Sequence, residues 1–194
     1  MPKLGMTGIR RRQLIDATIA SIHEVGLAES SLSRISARAG VSTGIVHHYF
    51  ADKAELLEST LRQLGTTLRL AVVSRLERAR TPAERLLAVV DGNLGAGQFT
   101  PEGVSAWLAF WAQVPTSPRL ARIQHVIISR LNDNLVDALK RMGRNDAEEI
   151  AGVTEALIDG LWLRAALSAD GPDPVRARRL VLDYLNAKLG RVLA

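Results

Sequence analysis

Apolar residues recur along this chain at three- and four-residue intervals, the period of one buried face on a helix, and no stretch alternates as a half-buried strand would. The pattern predicts an all-α fold. A first helix over about residues 9–25 carries Leu14, Ile15, Thr18, Ile19 and Ile22 as its core stripe and ends at Gly26. A short second helix carries Leu32, Ile35 and Ala39, and a third covers about 43–50 with Val46 and Phe50 inward. The fourth, about 52–80, carries Leu56, Leu57, Leu61, Leu64, Leu68 and Val72, and is long enough to link two domains. Thr81-Pro82-Ala83-Glu84 reads as a capping box with proline at the first helical position, opening a fifth helix to about Asn93. The sixth spans about 101–114 and stops before Pro115, and the seventh spans about 118–141. Asn145-Asp146-Ala147-Glu148 reads as a second capping box for an eighth helix reaching about 169, and Asp173-Pro174 opens the ninth. The loop GNLGAGQFTPEG before the sixth helix has a glycine-rich look, but no strand precedes it and no lysine follows, so a plain connection is expected.

The densest local signal lies at residues 35–57, ISARAGVSTGIVHHYFADKAELL. Gly40 follows the last residue of one short helix, where the chain must take a positive φ to stop and turn. Ser36 is small where two helices would cross, and Val41 fills the turn. Ser42 is a suitable N-cap for the next helix. That helix leaves Thr43, Gly44, His47 and His48 outward. Gly44 has no side chain, so a nucleic acid backbone could come close, and the free N–H groups of the helix start favour a phosphate. Asp52 caps the following helix, yet Lys53 in its first turn opposes the helix dipole, which a phosphate would explain. Two short helices about a tight turn, with a polar outer face, form the layout of a helix-turn-helix that reads DNA.

Composition narrows the classes. The chain has 194 residues and is 47% hydrophobic, enough for one or two domains with real cores. It has no cysteine, which excludes disulfides and thiolate metal sites and suits a reducing compartment. No apolar run approaches a membrane span and no signal segment precedes the basic start, so a soluble, cytoplasmic protein is expected. The net charge is +5, and Lys3, Arg10, Arg11 and Arg12 cluster ahead of the first helix's apolar stripe, where an arm along a DNA backbone is expected. An enzyme is not expected. Of the four histidines, His47 and His48 are adjacent and point about 100° apart, while His23 and His125 stand alone. Ser105 lies in GVSA, which is not a nucleophile elbow.

Only 4% of the residues are aromatic, so their positions matter. Trp107 and Trp111 are four apart on one helix face, with Phe110 beside them, and Trp162 follows Asp159 by three on the eighth helix. Two helices would thus present indole to a shared interior with a carboxylate nearby. Such a site suits a quaternary ammonium ion, which is held by aromatic faces and a counter-charge rather than by strong hydrogen bonds. The bland alternative is that the tryptophans are simply core.

The segment 10–57 resembles the N-terminal domain of TetR-family repressors without a gap, through LIDATIASIHEVG, ISARAGVSTGIVHHYF and DKAELL. That resemblance implies an N-terminal three-helix DNA-binding domain (1–60) and a larger helical ligand-binding and dimerisation domain (61–194), the boundary falling within the fourth helix. It implies that Thr43, Gly44 and His47 face bases or groove, and that Ser33, Ser42, His48, Tyr49 and Lys53 touch the backbone or its edges. Thr43 often corresponds to a lysine and His47 to a tyrosine in the family, departures that bear on operator sequence rather than on binding mode. It further implies palindromic double-stranded DNA as partner and a homodimer through the last two helices, whose small residues Ala151, Gly152, Ala156, Gly160, Ala165 and Ala166 allow close packing. MPKLGM, RRRQLIDAT, SAWLAFWA and EALIDGLWLRAALS are similar to the family's choline-responsive branch, repressors of choline uptake and glycine betaine synthesis genes. No cofactor is expected beyond an effector, choline by that resemblance. The assignment of Trp107, Phe110, Trp111, Asp159 and Trp162 to the ligand rests on spacing. Three other readings remain: a family member sensing another hydrophobic or cationic molecule, an all-α enzyme, and a non-specific DNA-packing protein.

Overall fold

The computed structural model describes residues 6–190, 192 and 193. Its helices are α1 (Met6–Glu29), α2 (Leu32–Arg38), α3 (Thr43–Tyr49), α4 (Lys53–Leu76), α5 (Pro82–Leu94), α6 (Pro101–Gln113), α7 (Pro118–Arg141), α8 (Ala147–Leu167) and α9 (Pro174–Leu189), with a 3-10 turn Val114–Thr116 after α6. No strand occurs among the described residues. Gly26 breaks the regular geometry near the end of α1 with φ 77°, and Gly40 turns the chain between α2 and α3 with φ 66°. Both conformations are costly for any residue with a Cβ.

Local chemistry starts most of the helices. Asp52 accepts from the Glu55 N–H, and Glu55 returns the favour to the Ala51 N–H at 2.8 Å, a closed capping box at α4. Thr81 and Glu84 do the same at α5, Glu84 accepting from Arg80 at 2.6 Å. Thr100, Ser117 and Asp173 cap α6, α7 and α9. Two expected caps are not made. Ser42 has cap-like backbone angles, but its hydroxyl bonds no helix N–H. The box expected from Asn145 to Glu148 does not form: α8 starts one residue later with Asp146 at its N-cap, and the Asp146 carboxylate is taken by the Arg144 fork, at 2.8 and 2.6 Å. A bidentate guanidinium outcompetes a single backbone N–H for the same oxygens.

Two apolar clusters organise the packing. The smaller joins Leu14, Ile15, Ala17, Ile35, Ala39, Val46, Phe50 and Leu56, holding α1 to α3 against the start of α4. The larger fills the space among α4 to α9, and it also takes in Ile22 from α1. The first helix of the N-terminal three-helix unit therefore packs directly on α6, in addition to the link through α4. At that joint His23 Nδ1 lies 2.9 Å from Ser105 Oγ. The Ser105 hydroxyl donates to the Pro101 carbonyl at 2.9 Å, so the imidazole N–H is the donor to Ser105. The pair ties α1 to α6. Where α5 crosses α4, a Cβ on Gly92 would stand 2.8 Å from the Val72 backbone, so only glycine permits this approach.

Candidate functional site

The reading head is a rigid frame with an open outer face. Ser31 caps α2 by accepting from the Arg34 N–H at 3.2 Å. Gln13 of α1 donates to the Ala39 carbonyl at 2.7 Å, closing the end of α2. Ser36 Oγ lies 3.1 Å from Thr43 Oγ1 and so pins the start of α3 to α2. The outward residues are Ser33, Ser42, Gly44, His47 and His48, all exposed, while Thr43 and Tyr49 are half-buried. His47 stands four residues after Thr43, and His48 four after Gly44, so each pair shares a column of the helix. His48 meets the Tyr49 ring edge-on at 5.0 Å between centroids, which aims the imidazole. A Cβ on Gly44 would meet only Ser42 Oγ, at 3.8 Å. The protein's own packing therefore places no demand for glycine there.

Two expectations about this face change. Arg10, Arg11 and Arg12 lie inside α1, so they do not form an arm preceding it; Lys3 falls outside the described residues. Arg10 is bonded to Gln13 and Arg12 to Asp16. Arg11 turns inward: its guanidinium donates to the Tyr49 carbonyl and to Ser59 Oγ (3.2 Å), pairs with Glu55 at 3.6 Å, and sits 4.2 Å over the Phe50 ring. One side chain thus fastens α1, the end of α3 and the start of α4. Lys53, expected to need a phosphate, has an internal partner as well, the Leu27 carbonyl at 3.3 Å beyond the break in α1. Arg11→Ala should lower unfolding stability by about 2 kcal/mol through lost charge-assisted bonds. Urea titration checks this, and an unmoved midpoint would remove Arg11 from its fastening role.

Behind the head, the tryptophans meet as their spacing implied. Trp107 and Trp111 of α6 lie 6.2 Å apart, and Trp107 meets Trp162 of α8 edge-on at 6.1 Å. Trp107 and Trp162 are each only 4% exposed. Phe110 does not join them: it is wholly buried in the larger core and makes none of these ring contacts. It shares the larger core with them but stacks on none of the three indoles. Its place is taken by Phe99, whose ring stands edge-on to Trp162 at 5.0 Å. The glycine-rich loop is therefore more than a connection, since it delivers this ring. A lone aromatic among small residues was the available signal.

Asp159 lies one turn before Trp162 and is half-buried, with no hydrogen bond or ion pair among the described residues. Burial, helped by the nearby negative charge of Glu155, pushes its carboxyl up to about 6. Arg164 does not pair with it, lining instead a groove between α8 and α9. That groove, about 720 Å³, lies between α8 and α9. Its apolar rim includes Val153, Leu157, Leu161 and Leu180, and its charged lining residues are Arg164, Arg176 and Asp173, a net positive set. The indole cluster is closed by ring contacts, so a ligand there must part the rings. Among the described residues, no three His, Cys, Asp or Glu side chains gather as a metal site, and no helix is long and apolar enough to cross a membrane.

A helix-turn-helix with an open outer face, joined to a separate helical core lined with aromatic residues, defines a DNA-binding regulator with a sensing domain. Residues 14–60 match the bacterial regulatory proteins of the tetR family, and residues 82–190 match the C-terminal domain of BetI-type transcriptional repressors. The chain is 47% identical over 192 residues to the HTH-type transcriptional regulator BetI of Escherichia coli K12, covering 97% of this chain and 98% of that protein. A Rhodococcus transcriptional regulator shares the fold at TM-score 0.82 and 28% identity, over 93% of this chain and 96% of its own. A Saccharomonospora viridis regulator, solved in complex with choline, superposes at TM-score 0.83 and 22% identity, over 92% and 96%. The chain belongs to the TetR family of transcriptional regulators, and within it to the BetI type. Members of this family bind operator DNA, dimerise and take small-molecule effectors.

Proposed function

We propose that the chain is a dimeric repressor of choline uptake and glycine betaine synthesis genes whose grip on its operator is set by choline bound at the Trp107–Trp111–Trp162 cluster. The observation that carries the effector is the pairing of a ring-lined interior with a half-buried carboxylate that has no cation of its own. A trimethylammonium group answers both, because indole faces attract it and its charge would relieve Asp159. The full-length likeness to BetI supports the gene target, and the choline-bound neighbour supports this fold as a host for such a cation.

The dimer is proposed to form through α8 and α9. Val153, Leu163, Leu167, Val175 and Leu180 are exposed there, beside the apolar groove. Covering such a surface with a second copy would bury it across a two-fold axis. Two heads would then face successive major grooves, roughly 34–36 Å apart on DNA. Ser42, whose hydroxyl is not used as a cap, and the free N–H groups of α3 are proposed to take phosphate, with Thr43, Gly44 and His47 against base edges.

Ligand control follows from α6. This helix carries Trp107 and Trp111 on one side and packs on α1 on the other. Parting α6 from α8 to admit a cation would press on α1 and α4 together and change the separation of the heads. The effect is a difference in ligand affinity between two head spacings, and it is reciprocal: operator DNA must weaken or strengthen choline by the same factor.

Calorimetry with choline should show one site per protomer, and Trp111→Ala should weaken it by roughly tenfold, one cation–π contact of about 1–2 kcal/mol. A gel shift on DNA upstream of the chain's own gene should change on adding choline. An unchanged complex, with no heat of choline binding, would leave a DNA-binding regulator of another effector.

A further inference from the structure

Eight polar side chains are buried among the described residues, and seven of them spend their hydrogen bonds within the protein, as the Thr154 and Asn93 bonds to their own helices show. Gln124 of α7 is the exception. It is 7% exposed and its Oε1 has no partner. A second orphan is a donor: Trp111 Nε1 is buried and unpartnered too. Buried amide and indole groups are rarely left so, because each gave up a water bond on burial.

Helix register puts the two orphans in one layer. α7 and α8 run antiparallel, with Lys140 paired to Glu148 at 2.6 Å and Asn132 donating to Glu155 at 3.2 Å. Each step toward the start of α7 therefore faces a step toward the end of α8. Continued at that register, Asp159 stands level with Ile128 and Gln124 level with Leu163 and Arg164, one step past Trp162. Trp162 in turn meets Trp107, and Trp111 lies one turn further along α6, against the 3-10 turn that packs on both α6 and α7. Long helical side chains lean toward the N-terminus of their own helix. Trp111 thus leans back toward Trp107, and Gln124 toward the 3-10 turn.

Resting on the cation site proposed above, we infer that Gln124 Oε1 and Trp111 Nε1 form a hydroxyl subsite beside it. The chemistry is that of a single O–H group. It accepts from the indole N–H and donates to the amide oxygen, so one hydroxyl satisfies both orphans. A quaternary ammonium alcohol therefore fits the whole site: its cation on the indole faces by Asp159, its hydroxyl between Trp111 and Gln124. The corresponding acid does not. Its carboxylate has no proton for Gln124 Oε1, and it adds a negative charge near Asp159 and Glu155. Gln124 is then the residue that tells the alcohol from its oxidised product.

The test is calorimetry with three probes: choline, ethyltrimethylammonium (the same cation without the hydroxyl) and glycine betaine. The wild type should prefer choline to ethyltrimethylammonium by at least about tenfold, two hydrogen bonds at a buried site, with glycine betaine weaker than both. Gln124→Met, close in length and free of orphan atoms, should weaken choline by about tenfold and leave ethyltrimethylammonium unchanged. Gln124→Leu serves as the second variant, and a thermal melt of each reports folding. Equal loss of both cations in the variants, or no preference in the wild type, overturns the hydroxyl subsite while keeping the cation site. Binding of neither cation by the wild type overturns the cation site, and the subsite falls with it.

Discussion

Asp159→Asn should make the ligand-free protein more stable at pH 7.5 and remove its response to choline. The carboxyl of Asp159 is raised from 3.8 to about 6 by burial and by Glu155. For an acid so raised, the folded state holds a proton that the unfolded state has released. Stability is therefore unaffected below pH 3.8, is lost progressively between 3.8 and about 6, and stays lost above that. The shift corresponds to about 3 kcal/mol, and because the replacing amide is also left without partners, a gain of about 1–3 kcal/mol is expected. Thermal melts at pH 7.5 and pH 4 check the sign: the two proteins should differ at the first and converge at the second. Choline affinity of the wild type should hold steady above about pH 6 and fall below it, as protonation removes the counter-charge. Equal melts at pH 7.5 would mean that Asp159 ionises freely and is no seat for a cation. A residue that costs the empty protein stability and is relieved by ligand is the pattern expected of a sensor.

Gly44→Ala should do the converse, leaving the fold intact and damaging DNA binding. The added methyl meets only Ser42 Oγ at 3.8 Å inside the protein, and alanine is favoured over glycine in helices by up to about 1 kcal/mol. The melting temperature should stay level or rise slightly. Against DNA the methyl would hold both heads away from the groove. A cost of roughly 1–3 kcal/mol per head, hence about 2–6 kcal/mol for the dimer, is a loss of at least about thirtyfold in operator affinity. Phosphate contacts elsewhere remain, so residual binding should keep its steep dependence on salt. A variant that binds the operator as tightly as the wild type would show that Gly44 does not approach the duplex.

What could be read from the chain beforehand was what depends on near neighbours. Gly26 and Gly40 end helices because a positive φ is a local demand, and Asp52, Thr81 and Asp173 sit three residues before the N–H groups they cap. The meeting of Trp107 and Trp162 followed from helical period plus the need to bury indoles. The rest depends on the fold. Arg11 looked like part of a basic arm because its partners, Tyr49 and Ser59, lie 38 and 48 residues away. Phe99 was not anticipated against Trp162 because period places a residue on a helix face but says nothing of which loop folds over that face. Ser42 and Asp146 have cap chemistry, yet a side chain with a second option, a neighbouring guanidinium for Asp146, leaves the helix end.

Ile22 of α1 is buried with the residues of the sensing core and not with the reading head it belongs to in sequence. Leu27 and Leu57 press on that core too. A head cut away from the rest of the chain would carry these side chains into water, so it has no independent melting behaviour to borrow. Head and core are therefore expected to melt in one transition, and a stabilising effector to stiffen the DNA-reading surface although it never touches it.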